Sequence, residues 1–285
     1  MFRLYTMINN SMYNFICPVC AAPFERVGGV FRCSGGHSFD IAKEGYVNLL
    51  TGSRSGALTG DSADMARCRR AFLSKGFFDA LSNELCRIAE KYGVKGSVLD
   101  ICCGEGHYSS FFKNHIPESN VLGFDLSREM VKRAAKQNKN VGYAVANMTS
   151  VPVPDGSVDC AFHLFAPFCA SEFMRILSPN GILISVVAGA EHLIELKNLL
   201  YDKPYPNDVH DPSDGGAEII EEYDLKDKIA LRSNEDIRAL FNMTPYCRHT
   251  PTSGIQKLSQ TDRLDVSLCF HVFIFGKRER LKNEL

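Results

Sequence analysis

Apolar and polar positions follow two regimes along the chain. Up to about residue 50 the apolar residues come singly or in pairs, broken by Cys, Gly and Pro; from residue 96 short apolar runs alternate with helix-like stretches. Ser97–Cys103 (SVLDICC), Val121–Leu126 (VLGFDL), Val141–Ala146, Val158–Phe165 and Ile182–Ala188 read as strands. A helix is expected from His107 to His115, and Ser127 reads as an N-cap with Glu129 and Met130 in the first turn. Strands alternating with helices predict a parallel sheet wound on both faces. Leu264–Phe275 predicts a final, long edge or antiparallel strand. Gly28-Gly29, set amid Val, Val and Phe between Phe24 and Arg32, predicts a small hairpin. The acidic stretch from Asp202 to Glu222, with Pro204, Pro206, Pro212 and Gly215-Gly216, reads as a loop, with the length and composition of a lid.

These patterns divide the chain into an N-terminal module over residues 1–50, a connecting helical segment over 51–95 and an α/β domain over 96–285. Composition refines this only in part. With 45% hydrophobic and 23% charged residues, the 285-residue chain is neither disordered nor collagen-like. The net charge of −1 gives no support for an overall basic nucleic-acid binder, but it averages unlike regions. Residues 1–80 carry nine basic against six acidic side chains, whereas residues 191–285 carry thirteen against seventeen. Arg54, Arg67, Arg69, Arg70 and Lys75 would meet phosphates or, equally, form a solvated helix face. No run of about 18 apolar residues suggests a membrane span, and the first 16 residues lack an apolar export core. A cytoplasmic, reducing location is therefore expected, where cysteines bind metal more readily than they pair.

Eleven cysteines are present, and three of them sort by spacing. Cys17, Cys20, Cys33 and His37 form C-x2-C-x12-C-x3-H, two knuckles able to close a tetrahedron around zinc. Gly35 and Gly36 suit the backbone turns of the second knuckle. Protein fills all four positions, so the expected Zn2+ is structural, and so short a segment needs it to fold. The other eight cysteines lie in apolar stretches and read as small buried hydrophobes.

The first strand of the α/β domain ends in Leu99-Asp100-Ile101-Cys102-Cys103-Gly104-Glu105-Gly106. Glycines here bring backbone N–H groups close to a ligand, and the helix that follows presents its positive end. About 20 residues on, the second strand closes with Asp125, placed to bind two ribose hydroxyls. The pattern departs from the G-x-G-x-x-G of nicotinamide sites. It resembles motif I of class I S-adenosylmethionine (SAM) methyltransferases, D/E-x-G-x-G-x-G, with Cys102 in place of the first glycine. Asn147 follows the third strand, where such enzymes place a polar group against adenine. Phe165-Ala166-Pro167-Phe168 sits where amino-methylating enzymes carry N-P-P-F/Y, without the Asn.

The whole set resembles one family, the bacterial 23S ribosomal RNA (guanine-N1)-methyltransferases. Besides the zinc module and the glycine turn, the resemblance rests on His37–Leu50 (HSFDIAKEGYVNLL), Gly60–Met65 (GDSADM), Arg69–Leu73 (RRAFL) and His192–Lys197 (HLIELK). It implies a zinc ribbon followed by a SAM-dependent Rossmann-like domain, acting on a 23S rRNA hairpin as a homodimer. Carried over by position, Cys17, Cys20, Cys33 and His37 would hold zinc. Asp100, Gly104, Glu105, Gly106, Asp125, Asn147 and His192 would surround SAM, and Phe78 would replace a Tyr near it.

Guanine N1 bears a hydrogen that must leave during methylation, and the sequence names no base to take it. The target guanine must sit in a loop or be flipped out, since its N1 edge is hidden in a helix. Phe168 would stack on it, or else be a strand-end core residue. Two other readings are open from sequence alone. One is a SAM-dependent enzyme acting on a small molecule or another RNA; the other is a non-catalytic zinc and RNA-binding module on a methyltransferase fold.

Overall fold

The computed structural model describes residues 14–51 and 63–277. Arg54 and Gly60-Asp61-Ser62 lie outside the described residues. A three-stranded antiparallel sheet opens the chain: β1 (Phe24–Val27), β2 (Val30–Cys33) and β3 (Ser38–Asp40). Gly28, at φ +64°, turns the expected hairpin. The rest builds on an eight-stranded sheet with the order β10-β11-β9-β8-β5-β6-β7-β4. Its strands are β4 (Tyr46–Asn48), β5 (Ser97–Ile101), β6 (Asn120–Asp125), β7 (Gly142–Val145), β8 (Val158–Leu164), β9 (Leu177–Ala188), β10 (Glu218–Leu231) and β11 (Leu264–Gly276). The first six in sequence run parallel; β11 pairs antiparallel with β9, and β10 antiparallel with β11. Every strand expected from the apolar runs is present, and the last is antiparallel as its position suggested.

Two features depart from the sequence pattern. The segment just past the zinc knuckles supplies β4, which pairs in parallel with β7, so the N-terminal stretch and the α/β domain share one sheet. The acidic stretch read as a loop to Glu222 becomes strand at Glu218, and β10 then runs 14 residues along β11. Half of its residues are charged and lie along the sheet edge, where charge discourages further strand pairing.

Helices α1 (Ala63–Leu73), α2 (Asp79–Lys91), α3 (His107–His115), α4 (Arg128–Gln137), α5 (Ala170–Ile176), α6 (Ile194–Leu200), α7 (Asn234–Asn242) and α8 (Thr252–Ser259) complete the fold. Ser127 caps α4 as its sequence position implied, accepting the Met130 N–H at 3.4 Å. Side chains alternate across the sheet. Val98, Cys160, Ile182 and Ile184 face one core with residues of α2, α3, α4, α6, α7 and α8. Leu99, Ile101, Leu122 and Leu183 face a second core, where Phe15, Phe24 and Phe31 pack beside Phe173 and Ile176 of α5. The zinc module thus covers sheet surface that would otherwise face water. Among the described residues no helix is long and apolar enough to cross a membrane.

Candidate zinc centre and cofactor cleft

The Cys17 Sγ, Cys20 Sγ, Cys33 Sγ and His37 Nδ1 atoms all lie within 4.8 Å of one another. Bond lengths of about 2.3 Å to sulfur and about 2.0–2.1 Å to nitrogen give tetrahedron edges of about 3.8 Å (S–S) and about 3.5 Å (S–N). The observed separations are 3.6 Å for Cys20–Cys33, 3.5 Å for Cys17–His37 and 3.3 Å for Cys33–His37. Backbone turns aim these groups. Ala21 N–H donates to the Cys17 carbonyl at 2.8 Å, and Gly36 N–H to the Cys33 carbonyl at 3.0 Å. Gly36 adopts φ +82°, whereas Gly35 is needed for closeness: a Cβ there would lie 3.1 Å from Cys20 Sγ. The donor set and spacing fit Zn2+, with all four positions supplied by protein. Of the other eight cysteines, Cys86, Cys103, Cys160 and Cys269 are buried, while Cys68, Cys102, Cys169 and Cys247 are half-buried.

The turn after β5 carries three left-handed residues: Cys102 at φ +60°, Gly104 at +55° and Gly106 at +73°. These are the three glycine positions of the methyltransferase motif, so Cys102 keeps the glycine conformation despite its Cβ. The two glycines serve different ends. A Cβ on Gly106 would meet Tyr143 and Ala134 at 3.0 Å or closer, so this glycine lets α3 pack. A Cβ on Gly104 meets nothing within 4 Å and would project into open space. At the edge of that space Asp125 accepts N–H groups from Gly104 (3.0 Å) and Ser127 (2.8 Å), which fixes its carboxylate at the tip of β6. Asp100 is buried and accepts the Ser109 N–H at 3.1 Å. Burial pushes its carboxyl up to about 8, against the Ser109 hydrogen bonds and with help from the Asp125 charge. Burial also raises the Cys102 thiol to about 12, so it is no nucleophile at neutral pH.

The remaining expected positions are spread around this turn. Glu105 is held by two arginines: Arg70 of α1 donates from Nε and Nη2 at 2.5 and 2.6 Å, and Arg133 of α4 from Nη1 at 2.9 Å. Asn147 is exposed beyond β7, where its side-chain oxygen accepts the Thr149 N–H at 3.0 Å. Phe78 is buried edge-to-face against Phe270, with ring centroids 5.1 Å apart, and faces His192 at 6.3 Å. His192 Nδ1 accepts the Cys269 N–H at 3.2 Å, and burial lowers its pKa to about 4. A neutral imidazole with Nδ1 accepting carries its proton on Nε2. His192 is therefore a hydrogen-bond donor toward its free side. The His192–Lys197 segment acts as a fastener: Glu195 accepts from Ser267 at 2.6 and 2.8 Å, and Lys197 Nζ donates to Tyr205 O and Asn207 Oδ1.

The basic group after the zinc module is largely engaged within the protein. Arg67 pairs with Asp64, Arg70 with Glu105 and Lys75 with Asp236, while Arg69 donates to the Met243 carbonyl. Arg70 and Arg69 tie α1, and Lys75 the residues after it, to the α/β domain, whereas the Arg67–Asp64 pair lies within α1. Phe168, read from sequence as a stacking or a strand-end core residue, is half-buried and packs against Phe173 and Phe275 at 4.9 and 5.4 Å. Sequence reasoning passed over Phe165, which is 46% exposed at φ +53°; a positive φ leaves no mark in a sequence when the residue is not Gly or Asn.

Zinc ribbon, doubly wound sheet and open glycine turn together define a class I SAM-dependent methyltransferase carrying a structural zinc site. Comparison with known proteins agrees. Residues 15–52 match the zinc-ribbon family described as "RlmA, N-terminal", and residues 98–181 match "Methyltransferase domain". A 23S rRNA (guanine(748)-N(1))-methyltransferase of Streptomyces fradiae is 36% identical over 65% of this chain and 66% of its own length. A relative from Micromonospora griseorubida, provisionally named a 23S rRNA (guanine-N1)-methyltransferase, is 34% identical over 65% of this chain and 68% of its own. A Bacillus subtilis relative with the same provisional name is 27% identical over 91% of this chain and 96% of its own. The chain belongs to the 23S rRNA (guanine-N1)-methyltransferase family.

Proposed function

We infer that the protein transfers a methyl group from SAM to N1 of one guanine in a 23S rRNA hairpin. The observation that carries this reading is the joining, in one sheet, of a four-ligand zinc ribbon of the family's type to an open class I cofactor turn. SAM, when bound, supplies an activated methyl on a sulfonium, so the protein must chiefly place the acceptor in line with it.

The residues divide that work. Gly104 leaves room at the turn, and Asp125 offers its carboxylate at the tip of β6, where ribose hydroxyls would meet it. Asp100, Glu105, Gly106 and Asn147 shape the surrounding wall, and Phe78 with His192 closes the side nearest β11. His192 does not take the N1 proton, because its one acceptor nitrogen is already occupied by Cys269 N–H. It donates instead, and an acceptor such as a purine carbonyl fits that polarity. The family resemblance supports a cytoplasmic homodimer as the working form.

The test is incubation of the purified protein with labelled SAM and unmodified 23S rRNA transcript, followed by nuclease digestion and mass mapping. N1-methylguanine at one hairpin position is expected. Label in a small metabolite with none in RNA would replace this reading with a small-molecule methyltransferase. Tight SAM binding with no transfer to either would leave a binding module.

A further inference from the structure

We propose that Phe165 is the residue on which the acceptor nucleobase stacks, an assignment that rests on the methyltransferase reading above. Three independent observations converge on this side chain.

The first is position. Ile101 of β5 pairs with His163 of β8, so Phe165, two residues past His163, leaves β8 at the same end of the sheet as the glycine turn that follows Ile101. The chain leaves β5 for β6 on one side and returns to β8 on the other, making the β5–β8 boundary the switch point where α/β folds bind ligands. Asp125 marks the ribose on the β6 side of that crevice. Phe165 stands on the opposite, β8 side, from which an acceptor would approach the methyl.

The second is conformation. Phe165 is a bulky residue at φ +53°, and its N–H is tied to the Val186 carbonyl at 3.0 Å. Such residues are uncommon in the left-handed region and persist where the surroundings impose them. The constraint can be traced. The Pro167 carbonyl only accepts, so His163 Nε2 carries the proton and donates to it at 2.8 Å; Nδ1 is then left to accept from Ser185 Oγ at 3.4 Å. A buried histidine pins the far end of the Phe165–Phe168 turn.

The third is what the ring touches. It lies 6.0 Å from Phe270 and 6.5 Å from His192, nearly parallel to the latter at 29°. One face thus rests on a fixed aromatic wall while nearly half the residue is open to solvent. Stacking on an aromatic ring tolerates any base and holds a flipped one without reading it. Selection of guanine would then fall to groups at its edge.

Alanine substitution of a base-stacking aromatic weakens binding by roughly one to two orders of magnitude. Single-turnover methyl transfer to 23S rRNA transcript at saturating SAM should fall at least about ten-fold for Phe165→Ala and for Phe165→Leu. Phe165→Trp should stay within about three-fold of the original, since a π face is kept. SAM affinity by calorimetry should be unchanged in all three. Phe165→Gly removes the ring while freeing the strained backbone: transfer should be lost while the variant stays folded with SAM affinity unchanged. A Leu variant at full rate, or SAM affinity falling in step with rate, would each overturn the assignment. If the unaltered protein methylates no RNA, the parent reading fails by itself. The stack is then read by NMR with guanosine monophosphate and S-adenosylhomocysteine. Upfield shifts of the ring resonances absent from Phe165→Leu support it, and their absence overturns it.

Discussion

Gly104 and Gly106 lie two residues apart in one turn, both with positive φ, yet alanine should act at them by different routes. At either position an L side chain in the left-handed region costs about 1–2 kcal/mol. At Gly104 that is the whole cost to the fold, because the new methyl meets nothing within 4 Å. At Gly106 the methyl also lies 2.9 Å from Ala134 Cβ and 3.0 Å from Tyr143 Cζ, and collides with the Tyr143 hydroxyl. That hydroxyl is hydrogen-bonded to Ser109 Oγ at 3.2 Å in the buried contact between α3 and β7. Overpacking of this kind adds about 1–3 kcal/mol, for a total of about 2–5 kcal/mol. At roughly 2–4 °C per kcal/mol, Gly104→Ala should lower Tm by about 2–8 °C and Gly106→Ala by about 4–20 °C. Cofactor binding should rank the other way. Gly104→Ala fills the open space beside Asp125 and should weaken SAM at least about ten-fold, while Gly106→Ala, measured where it is folded, should lose less. Differential scanning calorimetry and titration calorimetry read both quantities on the same samples. Wild-type SAM affinity in Gly104→Ala would refute the assignment of that space to the cofactor. Equal stability of the two variants would refute the packing role of Gly106.

Removal of zinc by a strong chelator should release one Zn2+ per chain and lower the unfolding temperature of the whole protein, because Phe15, Phe24 and Phe31 cover the second face of the main sheet; a core transition that stays put would contradict this. Two opposing pH dependences should overlap below pH 8. Burial holds His163 and His192 at about 4, below the ordinary 6.5, so their contribution is present above 6.5 and lost as pH falls toward 4. Asp100 is raised from 3.8 to about 8, so its contribution is present below 3.8 and lost progressively as pH rises from there to about 8; Asp100→Asn should remove that decline from a denaturation series run across this window. Cys102→Gly relieves a left-handed Cβ worth about 1–2 kcal/mol but gives up a half-buried thiol against Met148, so stability should change by less than about 1 kcal/mol with SAM binding kept. Loss of SAM binding in that variant would show that the thiol itself lines the site.

What the sequence determined by itself was local. Cys17, Cys20, Cys33 and His37 are legible because a zinc tetrahedron is closed by two short turns, so ligand identity and spacing nearly suffice. The apolar runs of β5 to β9 and the cofactor turn are legible for the same reason: period, capping and glycine placement act over a few residues. What only the tertiary structure decided depends on partners far away in the chain. Tyr46–Asn48 becomes strand by pairing with β7, and the charged Glu218–Leu231 becomes strand by lying along β11. Glu105 carries no sequence sign that Arg70 and Arg133 hold it. His192 looks titratable until the Cys269 N–H, 77 residues on, fixes its tautomer and burial removes its charge. Phe165 and Phe168 are alike in sequence, and sequence alone left Phe168 open between stacking on the base and a strand-end core place. The fold half-buries Phe168 against Phe173 and, through His163 and the Pro167 carbonyl, turns Phe165 out beside the cleft. Short-range geometry is written in residue types and spacings, whereas exposure, protonation and pairing are set by whichever residues the completed sheet brings alongside.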